Sequence, residues 1–135
     1  MHEVNRRSAV TLGLAAASAA MMKPAAAQTG DYKDTALAPG VVVRVYGEGP
    51  SMIPGFKTVT LRDIIVQPGS KGPENAEMPN AMVCHMTEGE LQVVQDGKTF
   101  PAKKNFVWTC DKGTKEHWSN SGSVVAIMRI TDLKA

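Results

Sequence analysis

The sequence contains few cysteines, few aromatic residues and almost no net charge. Two cysteines, Cys84 and Cys110, are too few for a disulfide-stabilised miniprotein or for a zinc site of four cysteines. Aromatic residues make up 5% of the chain, which leaves little surface for stacking on bases. The net charge of +2 is too small for the basic surface that nucleic-acid binding requires. We therefore expect no nucleic-acid partner.

Long apolar runs are also absent. A membrane-spanning helix needs about 20 consecutive apolar residues, and the longest candidate, residues 9–22, is shorter and rich in alanine. We expect no stable membrane insertion of the mature chain. With 135 residues, of which 43% are hydrophobic, the chain can bury one core but hardly two, so it predicts one soluble domain.

The first 27 residues differ in composition from the rest. The arginine pair Arg6-Arg7 precedes the apolar run over residues 9–22, and the small residues Ala25–Ala27 follow it. This order is typical of an export signal peptide, and the arginine pair resembles the twin-arginine class. An ordinary secretory signal that contains two arginines is the alternative. In either case we expect residues 1–27 to be removed and the protein to be periplasmic or secreted.

The remaining chain is predicted to form strands and turns. Residues 28–40 are polar and without periodicity, which predicts a flexible lead-in. Beyond them no 3.6-residue apolar period is sustained, and turn sequences such as Glu88-Gly89 and Asp96-Gly97 separate short β-branched runs. This pattern predicts an all-β sandwich or small barrel. Because closure removes exposed sheet edges, it favours a single-domain barrel over residues 41–135. The predicted strands cover residues 41–46, 57–66, 81–87, 91–94, 106–110 and 124–130.

One stretch of this domain resembles the first sequence motif of the cupins, which are small jelly-roll β-barrels. That motif reads G-x5-H-x-H-x3,4-E-x6-G. Gly69 and Gly89 match its two glycines, and Asn75, Glu77 and Met82 then stand at its His, His and Glu positions.

A second stretch resembles the other cupin motif, G-x5-P-x-G-x2-H-x3-N. Gly113 matches its second glycine, Glu116 stands at the His position, and Asn120 matches the final Asn. His117 lies one residue beyond the His position. The resemblance extends over residues 41–131 and implies a cupin-type jelly-roll β-barrel.

The residues at the motif positions bear on metal binding. The cupin site of three imidazoles and one carboxylate suits divalent transition metals, but Asn75 is a weak donor and Met82 is a soft thioether. The resemblance thus implies a cupin without its usual metal and with no cofactor. The alternative is a metal-dependent enzyme of oxidative or isomerising chemistry, with Glu77, Glu116 and His117 as ligands of a divalent transition metal.

Side-chain alternation predicts which residues line the barrel. Along residues 81–87 it places Met82, Cys84 and Met86 on one face, which the resemblance identifies as the inner one. These soft donors are either ordinary core residues or a copper(I) site. Trp118 would offer a flat apolar wall to a ring-bearing ligand. The predicted ligand-binding residues are therefore Asn75, Met82, Cys84, Met86 and Trp118.

Two carboxylates are candidates for catalysis. If Glu77 and Glu116 share an apolar barrel they repel, so that one keeps its proton, and this separates general acid from general base. Such a pair would suit an epimerase, isomerase or lyase. The alternative places one or both carboxylates at the solvated rim, and whether the protein is an enzyme stays open.

These observations favour an exported cupin-domain protein that binds a small organic ligand in its cavity. A scaffold for protein interaction is a further alternative, and a homodimer is expected because dimers are frequent among cupins. A disulfide between Cys84 and Cys110 also stays open, since an oxidising compartment allows one only if the two residues lie close together.

Overall fold

In the computed structural model, residues 31–135 are described, and they form ten strands and no helix. This part of the chain accordingly holds no helix able to cross a bilayer. The predicted signal peptide, residues 1–27, lies outside the described residues. In chain order the strands are β1 (Lys33–Ala38), β2 (Val41–Pro50), β3 (Thr58–Val66), β4 (Ala76–Glu77), β5 (Ala81–Glu88), β6 (Leu91–Gln95), β7 (Lys98–Ala102), β8 (Val107–Cys110), β9 (Lys115–Ser119) and β10 (Ala126–Lys134).

The strands form two antiparallel sheets that share one core. The larger sheet has six strands in the order β1-β2-β3-β10-β5-β8, and the smaller has four in the order β4-β9-β6-β7. Apolar side chains of both sheets join a single buried cluster, including Met128 from the larger sheet and Leu91 from the smaller. The predicted all-β jelly-roll architecture is confirmed.

Three edge strands were not predicted, namely β1, the two-residue β4 and β7. The predicted flexible lead-in over residues 28–40 contains β1, so the sheet begins before residue 41. All but the last of the β1 residues are exposed, and backbone pairing with β2 holds the strand in place. Because β1 buries no face, its sequence shows no alternation of apolar and polar residues. Strand β7 contains Pro101 and ends the smaller sheet, where a missing N–H is tolerated.

The predicted alternation along β5 is confirmed. Met82, Cys84 and Met86 are buried, at 2%, 0% and 0% exposure, whereas Val83 between them is exposed. The same alternation along β9 buries Glu116 and Trp118 and leaves His117 partly exposed. The inner face of each sheet can therefore be read from period-two patterning.

Charged side chains of alternating sign lie across the outer face of the larger sheet. In the strand register, Asp34 faces Arg44, Arg44 faces Asp63, and Asp63 faces Arg129. Arg44 donates two hydrogen bonds to Asp34, at 2.9 and 3.0 Å, and Arg129 donates two to Asp63, at 2.9 and 3.1 Å. Asp63 is only 4% exposed and also accepts the Tyr46 hydroxyl at 2.6 Å. We call this row the outer charge ladder.

Candidate functional site

A cavity of about 400 Å³ lies on the inner side of the larger sheet, with β4 and β9 of the smaller sheet also contributing to its wall. Its wall is mainly apolar because the inward positions of β3, β5, β9 and β10 carry large hydrophobic side chains. The principal apolar lining residues are Ile64, Met82, Trp118, Met128 and Ile130.

An ion pair forms one polar part of the wall. The Arg62 guanidinium donates two hydrogen bonds to the Asp132 carboxylate, at 2.7 and 3.1 Å, and Asn80 donates a further one at 2.9 Å. Both charged side chains are largely buried, at 19% and 5% exposure. Bidentate geometry together with the amide contact satisfies the pair, so each charge already has its partner within the wall.

Glu116 forms the second polar part of the wall and is only 3% exposed. Its Oε2 accepts hydrogen bonds from the Cys110 thiol at 2.9 Å, from Trp108 Nε1 at 3.3 Å and from Gln95 Nε2 at 3.3 Å. Gln95 lies directly opposite Glu116 in the β6–β9 ladder, while Trp108 and Cys110 are the inward residues of β8. The carboxylate is thus held by donors from both sheets.

The two cysteines are free thiols, and both are buried. The hydrogen bond with Cys110 and the burial of the side chain raise the pKa of the Cys84 thiol above its ordinary value. Cys84 is therefore a neutral thiol at neutral pH while no metal is bound. Because a coordinating metal ion displaces the thiol proton, the copper(I) site stays a prediction.

The predicted ligand-binding residues are divided by the structure. Met82 and Trp118 line the cavity. Cys84 and Met86 lie in the buried core instead, outside the cavity lining. Asn75 also lies outside the cavity lining, in an exposed turn before β4 with a left-handed φ of 52°. That backbone conformation is one that asparagine tolerates in turns.

The two candidate catalytic carboxylates occupy different environments. The β4–β9 register places Ala76 opposite Glu116 and Glu77 opposite Lys115. Since side chains alternate along a strand, Glu77 points away from the face that Ala76 and Glu116 share. Glu77 is exposed and contributes only to the rim of the cavity. The two carboxylates are thus not a like-charged buried pair.

The residues do not fit a metal centre of the cupin kind. Glu116 and His117 are consecutive in β9 and point to opposite faces, and Glu77 stays at the rim. Between residues 31 and 135, no group of three His, Cys, Asp or Glu side chains is placed to hold a metal ion. The alternative ligand set of Glu77, Glu116 and His117 is therefore not assembled, while the absence of a cofactor stays a prediction.

Sequence reasoning missed several polar residues of the site. Arg62 and Asp132 lie at inward positions of β3 and β10, and Gln95 ends β6. For Arg62 the signal is a charged residue in phase with the apolar residues Ile64 and Val66. Asp132 was out of reach, because the predicted last strand stopped at residue 130 and β10 continues to Lys134.

The indole of Trp118 is positioned by a glycine. A Cβ added to Gly72 would lie 2.8 Å from the nearest Trp118 ring atoms. Replacing Gly72 by alanine is expected to shift the ring and to lower the free energy of unfolding by about 1–3 kcal/mol. Denaturant unfolding, with tryptophan fluorescence as the signal, measures both effects.

Gly47 provides the matched control for Gly72. A Cβ added there meets no atom within 4 Å, so Gly47→Ala should change stability by no more than about 0.5 kcal/mol. Equal effects of the two substitutions would contradict a specific contact between Gly72 and Trp118.

No family model and no curated protein matches the sequence. The solved structures that are similar to this chain include cupins. An RmlC-like cupin from Shewanella frigidimarina is 13% identical, with a TM-score of 0.61 over 79% of this chain and 87% of that one. KdgF from a Halomonas species is 8% identical, with a TM-score of 0.62 over 79% and 93%. A predicted oxalate decarboxylase from Thermotoga maritima is 14% identical, with a TM-score of 0.56 over 77% and 92%. The described part of the chain therefore has the cupin jelly-roll fold.

Proposed function

We propose that this chain is an exported cupin-domain protein that binds a small organic ligand in its cavity without the usual cupin metal. The cavity volume of about 400 Å³ falls within the range of small-molecule pockets, about 300–1,000 Å³. Such pockets combine apolar walls with a few placed polar groups, as this one does.

Glu116 is the observation that carries the proposal. A carboxylate buried to 97% costs several kcal/mol in desolvation unless its environment compensates for it. If the cavity wall were only core filling, an apolar side chain at this position would be more favourable. A carboxylate held by three donors and set in the cavity wall instead supports recognition of a polar group on a ligand.

Ligand binding is better supported than acid–base catalysis. An enzyme that divides acid and base roles between two carboxylates needs both at one site, and Glu77 lies at the rim on the opposite face from Glu116.

Export depends on residues 1–27, and a homodimer is suggested only by the resemblance to cupins, so both stay predictions. The amino-terminal sequence of the exported protein and its mass in solution are the measurements that decide them.

Filling the cavity is expected to abolish ligand binding. Ala76 lines the cavity opposite Glu116 and is only partly buried, so Ala76→Phe adds a ring there without removing a core side chain. The full-length protein is screened by thermal unfolding against neutral, anionic and cationic small organic molecules. A ligand at 100 times its Kd should stabilise the wild type by about 2.7 kcal/mol and the variant hardly at all.

Val124→Phe is the matched control, because it adds the same ring at a position that is 61% exposed and outside the cavity. It should respond to ligands like the wild type. A screen in which no compound stabilises the wild type, or in which Ala76→Phe responds equally, contradicts the proposal.

A further inference from the structure

We propose that the ligand is a small amine with an apolar body, whose protonated amino group pairs with Glu116. The inference rests on the proposed function and specifies the chemical class of ligand for the same cavity.

The charges around the cavity leave only negative ones uncompensated. Five charged side chains contribute to its lining, namely Arg62, Glu77, Glu116, Asp132 and Lys134. Arg62 and Asp132 neutralise each other, and Lys134 pairs with Glu48 at 3.3 Å. Neither Glu77 nor Glu116 forms an ion pair with any residue from 31 to 135. The charge left for a ligand to meet is therefore negative.

Glu116 has an oxygen available for a ligand. The three donors that hold it are neutral groups, and all of them contact Oε2. Within the described part of the chain, no side chain or backbone group donates to Oε1. A buried carboxylate is most favourable when it meets both hydrogen bonds and an opposite charge. The donors of the protein supply the first, and an ammonium group on the ligand would supply the second.

The apolar wall fits the rest of such a molecule. Trp118 stands two residues from Glu116 on the same face of β9, and a cation near an indole face is attracted by the ring. The thioethers of Met82 and Met128 pack favourably against an aromatic or aliphatic body. An anionic ligand lacks a partner here, because the guanidinium fork of Arg62 is already occupied by Asp132.

Three probes with the same phenyl body test the charge preference. Calorimetric titration of the full-length protein with 2-phenylethylammonium, 2-phenylethanol and phenylacetate is expected to show the amine binding at least about tenfold more tightly than the other two. In Glu116→Gln, which keeps the shape but removes the charge, this preference should disappear. Glu90→Gln is the matched control, because Glu90 is exposed and lies outside the cavity lining, and its effect should stay below about threefold.

The outcomes separate this inference from the proposed function. Equal or tighter binding of the alcohol or the carboxylate overturns it, as does an amine preference that survives in Glu116→Gln or an absence of binding by all three probes. If Glu116→Gln does not fold, Glu116→Asp keeps the charge and should retain the amine preference at lower affinity, and its loss there overturns the inference. A neutral or anionic compound that stabilises the wild type but not Ala76→Phe leaves the proposed function standing while the amine assignment falls.

Discussion

Replacing Gly89 by alanine is expected to lower the free energy of unfolding by about 3 kcal/mol or more. Gly89 lies in the turn between β5 and β6 with φ of 69°. An added Cβ would stand 2.6 Å from the Val125 carbonyl oxygen and 2.8 Å from the Ala126 Cα. These are backbone atoms at the start of β10, so no side-chain rotation can relieve the clash. Urea unfolding of the full-length protein measures the loss.

Gly97 separates the clash from the backbone strain. It also has a positive φ, of 82°, but a Cβ there meets no atom within 4 Å. Gly97→Ala should therefore cost only the strain of the left-handed conformation, about 1 kcal/mol. Losses of the same size at the two glycines would show that contact with β10 contributes nothing.

Replacing Asn120 by alanine is expected to destabilise the fold by about 2–4 kcal/mol. Its side chain is 2% exposed and donates to the carbonyls of Val66, at 3.0 Å, and Val124, at 2.9 Å, and it accepts from the Gly122 N–H at 3.0 Å. Asn120 follows β9 of the smaller sheet, whereas Val66 ends β3 of the larger one. The side chain therefore links the two sheets, and its removal leaves the buried Val66 carbonyl without this partner.

Ser121 is the control for Asn120 because it is the next residue and is exposed. Ser121→Ala should change the free energy of unfolding by less than about 0.5 kcal/mol. An Asn120→Ala variant as stable as Ser121→Ala in the same urea titration would contradict the linking role of the amide.

The fold was predictable where burial leaves a pattern. Parts of β3, β5 and β10 carry buried apolar residues at every second position, such as Ile64 and Val66 in β3 or Met128 and Ile130 in β10. Period two also predicted the inward face of Met82 correctly. Strand β1 could not be found in this way, because it is an exposed edge held by backbone pairing. Strand β7 contains Pro101, which a strand tolerates at a sheet edge, and no local pattern shows that β7 lies at an edge.

The site was predictable only in part, because it depends on how two sheets face each other. Alternation places Glu116 and Trp118 on one face of β9, and the structure shows that this face is the inner one. The donors to Glu116 come from β6 and β8, and β8 belongs to the other sheet. No local pattern predicts that convergence. Glu77 is exposed because the short strand β4 pairs with β9 in a register that places Ala76, and not Glu77, opposite Glu116. The sequence contains no signal for this register.

The outer charge ladder has a consequence for strand alignment. Strands β3 and β10 carry an ion pair on each face, with Arg62 and Asp132 inside and Asp63 and Arg129 outside. A slip of one residue would turn every side chain of a strand to its opposite face, so that neither pair could form and a charge would enter the apolar core. The two pairs thereby select one alignment for the strands that carry Ile64, Met128 and Ile130. The shape of the cavity is consequently fixed in part by charges on the far side of the sheet.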